Sequence, residues 1–556
     1  MVSSVLRPLN VAAVAALALA LGLVFWQLPT PYWFDEANTI AYVRQPVRRM
    51  LQLVAHDFAP PAYYLVLQGW VRVFGDGEVA TGSLSLVFAM FALYLTYSFG
   101  RALGGAEVAR TAAVLFGVSA AFIFSASETR MYAMLMALAV AAAWGSYGLL
   151  TDGRWRWALL LLMALLAGSA THYAFWFFAL GLPVAFAVSR GLRGRGPGLR
   201  RFGVTWWLGA VGISLLLPLL VVQLRGWYFT PEPKWVDQHP LTWQFLWRVP
   251  GELILTPADD WPWWLAAVVG AAVLLVAGRG LIGSWRSIPA PAALLLVMIA
   301  FPLFVLVGLN VQVPRYAVAV APLMSLLLAV GVHRFRPAWR PLIFAALTAL
   351  VAGANVSTAW RIPPHRQDVA WPAVAKFLNA RDAPGTVIAA HYEEAVLLEY
   401  YYRGAMRVVH LVPVPPGQDR ALAEVRSIGR VLMNRDARPL IEPMLSGAAA
   451  VWYVQDGSGS FDYDPSGVMA ELLAQRCASS TSYHFPADSG WRFDRIGLRH
   501  YTGCRFVGAV VGAARPLPPF SADSLISWYS SSALTAQRSW AVPSKLSTAS
   551  MAVTIE

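Results

Sequence analysis

LNVAAVAALALALGLVFWQ, residues 9–27, is an apolar run. After Leu28-Pro29-Thr30 it meets Pro31-Tyr32-Trp33-Phe34-Asp35-Glu36. Its nineteen residues, all apolar but Asn10 and Gln27, are long enough to cross hydrocarbon, and no small-residue cleavage site follows them, so the run reads as a retained span rather than a signal peptide. The aromatic residues beyond it suit the interfacial belt. Asp35 and Glu36 then stand at headgroup depth, where lipid phosphates also lie. An isolated acidic pair there can be a solvated loop start; what distinguishes this one is that other motifs fall on the same side of the membrane.

Similar runs recur along the chain. It is 58% hydrophobic and 13% charged, with mean hydropathy +0.53. These values exclude an ordinary soluble globule and predict a polytopic α-helical membrane protein. Spans are expected at 9–29, 83–101, 108–125, 131–150, 157–171, 173–189, 203–222, 261–278, 289–309, 316–332 and 341–358, about eleven by the length criterion. The net charge of +13 invites a nucleic-acid reading. Its distribution argues against one, because the basic residues are scattered through short loops rather than gathered on one soluble face.

Those loops give the orientation. Fifteen arginines, from Arg7 to Arg340, fall in about 55 positions of one loop set, against nine basic residues in about 105 of the other. The first set is therefore cytoplasmic. Residues 30–82, 125–130, 171–172, 223–260 and 310–315 are expected outside, as is everything after about 359. The spans hold almost no ionisable groups; only His172 lies at an edge. A charge near the bilayer centre costs at least ~2.5–3.5 kcal/mol on insertion scales, which transporters accept for function. Its absence here counts against an ion-coupled transporter and fits a site at the outer interface.

The first outer loop, 30–82, carries structure. Pro46 to Ala55 predicts a short amphipathic helix with Val47, Met50, Leu51 and Val54 on one face, able to lie in the interface with its arginines near lipid phosphates. His56-Asp57-Phe58-Ala59-Pro60-Pro61-Ala62-Tyr63-Tyr64 follows, where the double proline is either a simple turn or a stiffened entry to a helix over 63–74. Further clusters sit at outer span ends. In Ser127-Glu128-Thr129-Arg130-Met131-Tyr132 the opposite charges can form a plain salt bridge. In Thr171-His172-Tyr173 the His can be a packing residue or a functional one. In Val313-Pro314-Arg315-Tyr316 the guanidinium can snorkel or bind a lipid phosphate through two parallel hydrogen bonds.

Taken together these clusters resemble the bacterial family-39-type membrane glycosyltransferases of the GT-C fold. These are the protein mannosyltransferase-like and aminoarabinose transferase-like enzymes that use polyprenyl-phosphate sugars. The resemblance rests on Asp35-Glu36-Ala37, Asp57-Phe58-Ala59-Pro60-Pro61-Ala62-Tyr63-Tyr64, Glu128-Thr129-Arg130-Met131-Tyr132, Thr171-His172-Tyr173 and Pro314-Arg315-Tyr316, and it covers roughly residues 9–358. One departure is clear: Ala59 stands where the family commonly has His, which puts any role of that His in holding donor or metal in doubt. The resemblance implies that Asp35 is the general base. It implies that Glu36, Asp57, Tyr63, Glu128, Arg130, Tyr132, His172, Arg315 and Tyr316 surround donor and acceptor. The implied activity is inverting transfer of a hexosyl or pentosyl group from a polyprenyl-phosphate donor to a lipid, glycan or protein acceptor, at the outer face of the cytoplasmic membrane. A non-enzymatic carrier or scaffold for lipid-linked glycan is the competing reading. Dependence on a divalent metal stays open, since no His/Asp cluster has ligand spacing.

After 359 the composition changes. Helices are expected at 371–380, 393–402 and 468–477, and strands at 386–390, 407–412, 449–455 and 498–506. Such alternation predicts an extracytoplasmic α/β domain over 359–515 with a mostly parallel sheet, which either caps the site or handles the acceptor, or is a module for stability or a partner. A Ser-rich tail, 516–556, reads as disordered. Residues 1–358 would form the catalytic domain. Cys477 and Cys504 are the only two cysteines; outside the cytoplasm they can pair or remain two buried thiols.

Overall fold

The computed structural model describes residues 2–57, 59–193, 198–227, 270–282 in part, 289–308, 314–361, 371–415, 417–428, 432–433, 435–456, 463–486 and 495–506. The apolar runs form helices. They are α1 (Val2–Gln27), α2 (Phe34–Val43), α3 (Val47–Val54), α4 (Ala62–Phe74), α5 (Glu78–Gly117), α6 (Ala120–Ser127), α7 (Tyr132–Thr151), α8 (Trp155–Ser169), α9 (Ala174–Arg193), α10 (Leu199–Ser214), α11 (Leu217–Trp227), α12 (Pro289–Gly308), α13 (Ala321–Val332) and α14 (Arg340–Arg361). Among the described residues four helices are long and apolar enough to cross a membrane, or five if the bent pair α10–α11 is one span. Shorter apolar helices, Val14–Gln27, Trp155–Ser169, Ala290–Leu306 and Arg340–Val356, coincide with further expected spans. The span expected at 261–278 lies largely outside the described residues. Large apolar side chains such as Phe25, Trp26, Leu215 and Phe304 are exposed on these helices, as lipid-facing residues would be.

Two spans differ from expectation. The loop expected between 101 and 108 is a kink inside α5, where Gly104 and Gly105 leave helical geometry and Gly105 has φ +80°. A side chain at that φ is disfavoured, so glycine permits the bend. The span expected over 108–125 breaks at Ser119, whose hydroxyl accepts the Phe122 N–H at 3.3 Å and starts α6 afresh. The entry to α13 is also modified: Pro314–Val320 winds as a 3-10 helix before Pro322 opens the α-helix.

The first loop folds back on itself as α2, α3 and α4. Asp35 and Glu36 are thus not in a loop but in the first turn of α2, where the helix dipole favours acidic residues. Helix α3 forms as expected, but its buried face is Met50, Leu53 and Val54, while Val47 and Leu51 are exposed. Of its two arginines, Arg48 is exposed and Arg49 is held within the protein. Arg49 forks onto Asp419, with contacts of 2.9 and 2.8 Å.

Asp419 belongs to the C-terminal α/β region. There β1 (Thr386–Ala390), β2 (Arg407–His410), β3 (Ala450–Asp456), β4 (Ser479–Pro486) and β5 (Arg495–Thr502) form one sheet in the order β2-β1-β3-β5-β4. The flanking helices are α15 (Trp371–Asn379), α16 (Tyr392–Tyr401), α17 (Arg420–Arg426), α18 (Arg438–Ile441) and α19 (Val468–Arg476). The sheet is mixed rather than mostly parallel: β1 pairs in parallel with β2 and β3, whereas β3–β5 and β5–β4 are antiparallel. Strand β5 ends at Thr502, earlier than expected, because Gly503 turns the chain at φ +64°. Cys477 and Cys504 form a disulfide beside that turn.

Alternate strand residues feed two apolar layers. Val387, Ala389, Val451 and Tyr453 pack beneath α19. Ile388, Ala390, Trp452 and Val454 share a core with Phe34, Ile40, Tyr63 and Tyr64 of the first loop. Met1–Val507 accordingly forms one compact unit; Gly508–Glu556, which includes the expected tail, lies outside the described residues.

Candidate active site

Four chain junctions meet at one end of the helical bundle: the start of α2, the α6–α7 turn, the α8–α9 turn and the 3-10 entry to α13. The sequence placed all four on one membrane side. The α2 start is pinned by Glu36. One of its oxygens accepts the Trp33 N–H at 3.3 Å and the other accepts the Thr129 N–H at 2.7 Å. This ties the acidic pair to the α6–α7 turn. Glu36 has 0% exposure and acts as a post of the fold at this end of the helix. Tyr63 is buried as well, its ring in the core beneath the loop with Tyr64 and Met131.

Asp35, one residue earlier, points the other way. Its carboxylate keeps 22% exposure, and its Oδ2 faces two guanidinium groups, Arg315 at 3.4 Å and Arg130 at 3.7 Å. Both distances exceed those of a charge-assisted hydrogen bond; the attraction is Coulombic, and neither arginine clamps the carboxylate. Arg130 is held elsewhere, donating to the Asp35 carbonyl at 3.2 Å and to Thr39 Oγ1 at 2.8 Å. Arg315 lies over the Trp33 ring, 4.8 Å from its centroid. The Nε of each arginine is buried without a hydrogen-bond partner among the described residues, so both guanidinium groups keep donor capacity.

Glu128, in the α6–α7 turn, is buried, and its Oε1 has no hydrogen bond among the described residues. Burial, with help from the charge of Glu36, pushes its carboxyl up to about 7 against the pull of Arg315 and Arg130. It is therefore poised to hold a proton near neutral pH. His172 is packed among aromatic side chains. Its Nδ1 accepts the Ala174 N–H at 3.0 Å, which leaves the proton on Nε2. Its ring lies between those of Tyr132 and Tyr316, at 5.9 and 5.1 Å. Burial, with the charges of Arg130 and Arg315, drives it down to about 3, so it stays neutral. Asp57 sits in the turn after α3, and its charge bears on Arg130 and Tyr64.

The segment of the Ala59 departure is fixed by Gln223, which donates to the carbonyls of Val54 at 2.8 Å and Ala59 at 3.1 Å and accepts from Tyr173. Sequence reading missed Gln223, Trp33 and Thr39. Only Thr39 carried a signal, one helical turn beyond Asp35. Among the described residues no group of three or more His, Cys, Asp or Glu is placed to hold a metal ion.

No protein-family model matches the chain, and no curated protein matches it by sequence. Solved structures do. ArnT from Cupriavidus metallidurans in the apo state is similar at 14% identity and TM-score 0.53, over 87% of this chain and 97% of that one. The same protein bound to undecaprenyl phosphate is similar at 15% identity and TM-score 0.54, over 91% of this chain and 99% of that one. Identity this low speaks for the fold alone; together with the apolar helices, it makes this chain a multi-pass membrane protein of the GT-C fold that its sequence motifs resemble.

Proposed function

We propose that the chain is an inverting glycosyltransferase that moves a sugar from a polyprenyl-phosphate donor to a lipid, glycan or protein acceptor at the outer face of the cytoplasmic membrane. The observation that carries this reading is the partly exposed Asp35 carboxylate beside the guanidinium groups of Arg315 and Arg130. An acceptor hydroxyl is a weak nucleophile until a carboxylate takes its proton. Among the described residues no hydrogen bond is made to Oδ1 of Asp35, and the nearest guanidinium nitrogens face Oδ2, which leaves Oδ1 for that step. The new oxygen–carbon bond forms as the bond from the anomeric carbon to the phosphate oxygen breaks, with inversion. The departing lipid phosphate carries the negative charge toward Arg315 and Arg130, whose open donors suit it. Such a leaving group lessens the need for a second, protonating carboxyl.

The bound undecaprenyl phosphate of the similar ArnT structure supports a lipid-phosphate donor of this kind. The carrier or scaffold reading would be favoured by dispersal of Asp35, Asp57, Glu128 and Arg315; Asp35 and Glu128 lie near Arg315 and Arg130, and the charge of Asp57 bears on Arg130. On our reading residues 359–515 are an extracytoplasmic domain that completes the site from outside. The test is transfer by purified, reconstituted protein over a panel of polyprenyl-phosphate sugars, hexoses and pentoses alike. Activity with none of them, in protein that still binds undecaprenyl phosphate, would sink the enzyme assignment and favour the carrier.

A further inference from the structure

Helix α2 is gripped along three stripes. Asp35 and Thr39 face Arg130. Glu36 faces the α6–α7 turn. The third stripe, Phe34 and Asn38, is turned about 100° from the first, the angle of one residue in an α-helix, and it faces α16 of the C-terminal region. There the Tyr392 ring meets Phe34 edge-on at 6.0 Å, and the Tyr392 hydroxyl donates to Asn38 Oδ1 at 2.9 Å. Tyr392 and Asn38 are both buried. The contact continues beyond the helix start: the Tyr32 N–H donates to the Tyr401 hydroxyl at 2.6 Å, and the rings of Tyr32 and Tyr400 lie 4.9 Å apart.

A helix gripped on only two stripes can still roll. Rolling α2 would swing the Asp35 carboxylate away from the acceptor while leaving the helix intact. We propose that Tyr392 is a positioning residue for Asp35, through which the C-terminal region fixes the rotation of the helix that carries the base. This inference rests on the proposed function and deepens it. The C-terminal sheet then acts as part of the catalytic scaffold, beyond any handling of the acceptor.

Tyr392→Phe removes one hydroxyl and keeps the ring; Asn38→Ala removes the same hydrogen bond from the other side. Each is made in the full chain and read in two ways. Hydrogen exchange over residues 34–43 is expected to quicken in both variants. Transfer is expected to lose about tenfold in kcat, with donor KM within about twofold, the pattern of misaimed chemistry rather than lost binding. Added to Asp35→Asn, Tyr392→Phe is expected to cost nothing more, because its effect runs through that carboxylate. An equal fold-loss in the Asp35→Asn background, or unchanged exchange over 34–43, would overturn the proposal. Failure of the wild-type protein to transfer any sugar overturns the proposed function instead, and the exchange measurement then decides the coupling on its own.

Discussion

The Arg315 guanidinium stands 3.4 Å from the Asp35 carboxylate while lying over the ring of Trp33, two residues before it. One cation is thus shared between the acid and the aromatic face next to it. On the proposed function, a phosphate arriving at Arg315 would compete with Asp35 for the same charge, so donor binding would free the carboxylate to act on the acceptor.

Asp35→Asn keeps the shape of the side chain and removes its basicity. Transfer should fall ~100-fold or more, on the scale of general-base catalysis, with helical content by circular dichroism unchanged. Near-normal transfer by this variant would remove Asp35 from the role.

Arg315→Lys retains a charge and loses the fork and the stacking on Trp33. Donor KM should rise roughly tenfold, in line with losing hydrogen bonds to a charged group. Binding of undecaprenyl phosphate to Arg315→Ala at wild-type strength would reduce Arg315 to an interfacial anchor.

Glu128 sets a pH dependence of stability. Its folded value, about 7, lies above the ordinary carboxyl value of about 4.3. The folded state therefore holds the proton more tightly than the unfolded chain does. That contribution is fully present below about pH 4.3 and is lost as pH rises through about 7, up to about 4 kcal/mol in all. Glu128→Gln should flatten the melting temperature between pH 5 and 8 and raise it at the upper end. A wild-type profile already flat over that range would contradict the buried, proton-holding carboxyl.

The Cys477–Cys504 bond closes a loop with a sequence separation of 27. In the chain-entropy model such a closure stabilises by about 3.5 kcal/mol. Reductant should lower the melting point of the C-terminal region and expose two thiols to a labelling reagent in denatured protein. Two labelled thiols before reduction, in protein taken from its native membrane, would rule out the bond and weaken an extracytoplasmic placement.

The legible part of the fold was whatever hydropathy writes. Apolar runs gave helices α7, α8, α9 and α12 nearly to the residue, because a span must satisfy its backbone internally. Breaks set by single side chains, such as the Ser119 cap, left no trace in hydropathy. Strand β4, Ser-Ser-Thr-Ser in its first half, lies at a sheet edge, and only Tyr483 and Phe485 in its second half alternate toward the core, too short a pattern to announce it. In the site, Asp35, Glu128, Arg130 and Arg315 were visible as charges at span ends. Glu36 was legible as a carboxylate but not as a buried one, since its burial depends on the Thr129 N–H, which lies 93 positions away. Gln223 was invisible for a related reason: its amide donates to two backbone carbonyls, which carry no residue identity, and its one side-chain partner, Tyr173, lies 50 positions away.

Asn38 and Tyr392 are 354 positions apart in the chain. Ribosomes add roughly 5–20 residues each second, so the helix bearing Asp35 waits roughly 20–70 s for the tyrosine that meets it. Through that interval the nascent protein holds its acid and has the Phe34 face of α2 uncovered. That face gains its cover only when α16 arrives, and a polypeptide halted before residue 392 keeps both arginines and the carboxylate but not the wall against which α2 is set.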